Sequence, residues 1–124
     1  MNRTMIIFAL VLGTLSLSLH AAESKTTLTP TQAKALVSSA KTPADHLKLA
    51  AYYTQMSESY LAQSKEHEQM KAAYEATPIY TSSKHKPGTI DHCEYFVKSF
   101  LDDAAKMKEM AAMHQAMAQQ MAKK

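Results

Sequence analysis

Two stretches free of internal proline and glycine repeat every seven residues, a period that leaves few folds other than packed helices. From His46 to Tyr74 each seventh residue reads His46, Tyr53, Tyr60, His67 and Tyr74, flanked by Leu49, Met56, Gln63 and Met70. From Phe100 to Met121 the same register gives Phe100, Asp103, Met107, Met110, His114, Met117 and Met121. A seven-residue repeat keeps its side chains on one side of a helix. These polar and sulfur-bearing residues are therefore expected to face a partner helix, at positions where Leu and Ile are the usual occupants.

Start and stop signals bound the helices. Thr29-Pro30-Thr31-Gln32 sets a capping Thr, a proline at the first helical position and a Gln three residues after the cap. That is a capping box, with the proline where its missing N–H costs nothing. Ala33, Leu36, Val37 and Ala40 follow at helical spacing and give a short helix of about residues 30–40. Thr42-Pro43-Ala44-Asp45 repeats the signal, and no breaker interrupts until Pro78, so a second helix is predicted over 43–77. Pro78 to Gly88 reads as a loop containing Ser82, Ser83, His85 and Pro87, with His85 between two lysines and solvated. Thr89 then caps a third helix over 90–123, closed by Lys123 and Lys124.

Two long helices joined by a short loop are expected to fold back as an antiparallel, coiled-coil-like hairpin. A reversal near residues 81 and 82 sets His46 against Met117, Leu49 against His114, Tyr53 against Met110 and Met56 against Met107. Further along it sets Gln63 against Phe100, His67 against Phe96 and Met70 against Cys93. Tyr60 falls opposite Asp103, which reads as a structural polar layer in which the phenol donates to the carboxylate and fixes register. The fold class is thus all-α, a short N-terminal helix followed by the hairpin. Because one hairpin buries a single seam, a homodimer forming a four-helix bundle is expected.

The start of the chain reads as an export signal over residues 1–21. Asn2 and Arg3 precede an apolar run from Met5 to Leu19, and Ala21 or Ala22 marks the cut. That run of about 15 residues is short of the roughly 20 a spanning helix needs, so no stable membrane span is expected after cleavage. Residues 22–28 are a leader expected to be disordered, and residues 29–124 form a single helical domain, periplasmic or secreted. Arg3 is the only arginine, so losing it takes the formal charge from +3 to +2. The lysines are scattered among eleven acidic residues, which argues against a nucleic-acid partner. Gly88 is the only glycine after the export signal, so no glycine-rich phosphate loop or nucleophile elbow is available. A single cysteine forbids an internal disulfide despite the oxidising destination.

The histidines fall in pairs by level along the hairpin. Near the loop, His67 and Met70 meet His92 and Cys93; near the open end, His46 meets His114 and Met117. Imidazole, thioether and thiolate together are the donor set that selects copper, Cu(I) above all, and His-x-x-Met puts two donors on neighbouring positions of one helix. The plainer reading is packing: histidine as a half-buried hydrogen-bonding residue, methionine as a flexible filler. No zinc-finger spacing or His-Glu-x-x-His is present. Haem fits poorly, since Tyr53 and Tyr60 crowd the seam and no Cys-x-x-Cys-His occurs. Cys93 reads as a buried apolar residue, a link between two chains, or a ligand beside His92.

The run Thr42-Pro43-Ala44-Asp45-His46-Leu47-Lys48-Leu49-Ala50-Ala51-Tyr52-Tyr53, with His92-Cys93 and His114 downstream, resembles a group of small exported bacterial helical-hairpin proteins without an assigned activity. The resemblance implies export and the hairpin, and implies no reaction. The expected function is therefore a non-enzymatic binding or structural module of the cell envelope. The alternative is a periplasmic copper-type metal-binding protein.

Overall fold

The computed structural model describes residues 28–81 and 86–123. The expected signal segment, nearly all of the leader and His85 lie outside the described residues. The described chain is all-helical: α1 (Pro30–Ser39), α2 (Pro43–Glu75), a single turn α3 (Pro78–Thr81) and α4 (Lys86–Ala122).

Both predicted caps form, and at Thr42 the cap proves to be a full capping box as well. The Gln32 N–H donates to Thr29 Oγ1 at 3.3 Å, and Gln32 Oε1 accepts from the Thr29 N–H at 2.8 Å. At α2 the Asp45 N–H donates to Thr42 Oγ1 at 3.1 Å, while Asp45 Oδ2 accepts from the backbone N–H groups of Thr42 and Lys41. Asp45 thus closes the box as well as lending its charge to the first turn. Hydrogen bonds from Thr42 and from the Lys41 backbone hold its carboxyl below the ordinary carboxylate range.

Two boundaries differ from expectation. α2 stops at Glu75, with the Thr77 N–H bonded back to the Tyr74 carbonyl, because a residue preceding proline is pushed out of helical geometry. α4 begins at Lys86, so Pro87, Gly88 and Thr89 belong to its first turn and Thr89 is not a cap. A first-turn proline lacks only an N–H that the helix leaves unused there.

α2 and α4 pack along their length and α1 lies against α2. The pairing is antiparallel: Lys71 meets Glu94, Ser64 meets Val97, Ser57 meets Ala104 and His46 meets His114. α2 spans about 50 Å and α4 about 55 Å.

The innermost line of the seam is made of small residues. Ala50, Ser57 and Ser64 on α2 are buried at seven-residue spacing, as are Ala104, Ala111 and Ala118 on α4. Small side chains let the two backbones come close. The Ser57 hydroxyl donates across the seam to the Ala104 carbonyl at 2.8 Å, and Ser64 donates to the Val97 carbonyl at 3.3 Å. Serine in a helix usually turns its hydroxyl to its own preceding turn; here it crosses, which satisfies a buried group and pins the register.

The aromatic, histidine and methionine repeats therefore form one flank of the seam instead of its centre. Tyr53, Tyr60, His67, Phe96, Phe100, Met107 and Met110 are half-buried there. The other flank carries Leu47, Leu61 and Leu101, all exposed.

Candidate functional site

His46 lies in the second turn of α2, fixed by its backbone N–H bonding the Thr42 carbonyl at 3.2 Å. His114 lies near the far end of α4 and is buried. Folding back the hairpin puts their Nδ1 atoms 3.0 Å apart. The rings stack with centroids 5.3 Å apart at 26°, and the Tyr53 ring lies parallel to His114 at 5.6 Å and 6°. The open-end pair expected from the sequence is thus assembled. It faces His114 where the register had set Met117, one helical step along.

One Nδ1 donates and the other accepts, so the contact accommodates a single proton between the two nitrogens. Burial first, then the neighbouring His46, holds His114 below the ordinary imidazole value of 6.5. Unfolding returns the ring to that ordinary value, so acid favours the unfolded chain. The stability contribution is complete above about pH 6.5 and is lost as pH falls through the lowered folded-state value. Thermal melts from about pH 7.5 to about pH 5 should show a falling melting temperature, and His114→Gln should flatten that slope. An unchanged slope in the variant would remove His114 as its source.

The loop-side set does not converge. The His67 ring stacks on Phe96 at 5.0 Å and leans on Phe100 at 5.6 Å, while His92 meets Phe96 edge-on at 4.7 Å. Both histidines pack on Phe96 instead of sharing an ion. Cys93 is a free thiol at 1% exposure inside the seam, and Met70 points outward at 43%. Successive helical residues diverge by about 100°, so the buried Cys93 takes the exposed His92 away from the seam. Among the described residues no three of His, Cys, Asp and Glu are grouped to hold a metal ion. The burial of Cys93 also opposes a disulfide between chains, which needs an accessible sulfur.

No family model, curated protein or solved structure matches this chain.

The Tyr60–Asp103 layer is not formed as expected. Tyr60 stacks on Phe100 at 6.0 Å and 21°, and Asp103 accepts from Lys106 Nζ at 3.2 Å on its own helix. The seam centre lies one column away, which turns Asp103 toward water and its nearest cation. Sequence reasoning passed over Ser57 and Ser64, although the spacing Ala50-Ser57-Ser64 was visible. Their signal is a repeat of small residues, which marks close backbone approach instead of hydrophobic bulk.

Two further features complete the surface. Val37 and Lys34 of α1, with Tyr52, Tyr53, Met56 and Met107 of the hairpin, line an open groove of about 370 Å³. The His67 Nδ1 is buried without a hydrogen-bond partner amid the Phe96 and Phe100 rings. No helix among the described residues is long and apolar enough to cross a membrane.

Proposed function

We propose that this protein is an exported, non-enzymatic helical module that binds a protein surface through its aromatic flank, a second copy of the chain being the first occupant. The observation that carries the reading is the ladder Tyr60, Phe100, His67 and Phe96, half-buried on one flank.

The balance of sizes supports it. The buried core of the described residues is mostly alanine and serine, and its largest fully buried side chains are Leu49 and Cys93. Apart from Leu49 and Ile90, the large aliphatic and aromatic groups, whose burial contributes roughly 1.5–3 kcal/mol each, stay partly in water. Aromatic residues and methionine are the types enriched at protein interfaces. α1 covers the Tyr53–Met107 stretch of this flank, and the remaining length of about 35 Å, two helix diameters wide, offers on the order of 700 Å², near the roughly 800 Å² per partner of a standard interface. Pairing two such flanks about a two-fold axis makes a four-helix bundle. Export rests on the apolar run Met5 to Leu19 and the alanines after it.

Light scattering on the mature chain tests the reading. The dimer mass is expected at micromolar concentration, and Phe100→Asp, on the aromatic flank, should shift it to monomer. Leu101→Asp, one residue on and exposed on the opposite flank, should leave the dimer intact. A monomeric parent protein, or equal effects of the two substitutions, would reject self-association through this flank.

A further inference from the structure

The open end of the hairpin carries donors that the aromatic flank does not use. We infer that His46 and His114 form a two-imidazole site for a soft monovalent d10 cation, copper(I) or its redox-inert analogue silver(I), with the Met117 thioether as third donor. This goes beyond the binding role proposed above and stands or falls independently of it.

The geometry comes first. Two Nδ1 atoms 3.0 Å apart aim at one small volume. Metal–imidazole bonds are about 2.0–2.1 Å long. An ion at that distance from both nitrogens subtends roughly a right angle, and parting the rings by a few tenths of an ångström opens it toward the tetrahedral value. The rings come from two different helices, each held in place: His46 by the capped start of α2, His114 by burial in the seam. The site is therefore preorganised by the hairpin itself and does not exist in the unfolded chain.

Donor chemistry sets the class of ion. Two neutral imidazoles supply no negative charge, and the carboxylate nearest in sequence, Asp45, is committed to the Lys41 and Thr42 N–H groups. Among the described residues there is no third His, Cys, Asp or Glu to complete a zinc-type set. Sulfur is what α4 offers instead. Met117 follows His114 by three residues, hence on an adjoining position of the same face, and is partly exposed. Imidazole with thioether suits a soft monovalent ion and leaves calcium or magnesium without oxygen ligands.

The protons balance. In the metal-free pair one ring carries its proton on Nδ1 and donates it to the other. Ligation needs a lone pair on both Nδ1 atoms, so the donor ring moves its proton to Nε2. Both rings stay neutral and no proton is released.

The test titrates the full mature chain anaerobically with Cu(I) against a chromophoric Cu(I) chelator, and separately with Ag(I), with Zn(II) as the contrast ion. One equivalent of Cu(I) or Ag(I) is expected, with nitrogen-15 shifts confined to the ring nitrogens of His46 and His114, the Nε2 that gains the proton included. His46 is only half-buried, so His46→Gln should fold, as circular dichroism will verify, and should weaken binding by at least roughly a hundredfold, more than losing an outer-shell partner costs. Met117→Leu should weaken Cu(I) binding while leaving the hydrogen-bonded pair in place. Binding undiminished in His46→Gln, tighter retention of Zn(II), or failure of the parent protein to compete with the chelator would each overturn the site and leave a hydrogen-bonded pair alone.

Discussion

Replacing Leu49 by alanine is expected to destabilise the protein by about 3 kcal/mol, read as a lower midpoint in urea. Leu49 has no exposure at all and shares with Cys93 the place of largest fully buried side chain. It lies one helical turn after His46, so the cavity opens near the open end of the seam between α2 and α4. The cost is a large share of the roughly 5–15 kcal/mol that separates folded from unfolded states of ordinary domains. Leu47→Ala supplies the control two residues away. Leu47 is 54% exposed on the opposite flank, and its truncation should change stability by less than about 0.5 kcal/mol. Equal effects at the two sites would contradict the placement of α2 against its neighbours.

The second large effect runs the other way in volume. Ala104→Leu should cost about 3 kcal/mol, the upper part of the range for overpacking a filled core. The Ala104 carbonyl accepts the Ser57 hydroxyl at 2.8 Å, so the helices are at hydrogen-bonding distance where the new side chain must go. Three added carbons force the backbones apart, and the buried serine loses its acceptor as well. The same enlargement at the exposed neighbour Ala105 meets only solvent and should be close to neutral. Urea unfolding of both variants, with far-ultraviolet circular dichroism to verify helicity, gives the comparison. A mild Ala104→Leu would mean that the seam has room and that its small residues do not set the helix spacing.

These two substitutions mark what was legible in the chain. The caps at Thr29 and Thr42 could be read directly, because a capping box is a local arrangement of four residues and needs no tertiary partner. The antiparallel pairing and its level were also readable: two uninterrupted helices about a known reversal fix which residues share a height. His67 against Phe96 is the clearest instance. What the spacing left open was the angle around each helix. Weighting large and unusual side chains drew attention to the tyrosine, histidine and methionine columns, whereas the helices approach along the alanine and serine columns beside them. That one-column rotation separates Tyr60 from Asp103 and buries Cys93 apart from His92. The open-end histidines survived the rotation because a ring reaches across one helical step. The start of α4 was missed for another reason: proline and glycine are loop formers on average, yet a first helical turn accepts both.

The crossed contacts of the hairpin also differ in how much chain they enclose. Lys71 and Glu94 are 23 residues apart, Ser64 and Val97 33, Ser57 and Ala104 47, and His46 and His114 68. Closing the smallest loop first is entropically cheapest, and each later contact then extends an enclosure already made. Loop-closure entropy therefore favours assembly from the turn outward, with the contact of the two imidazoles the costliest to close.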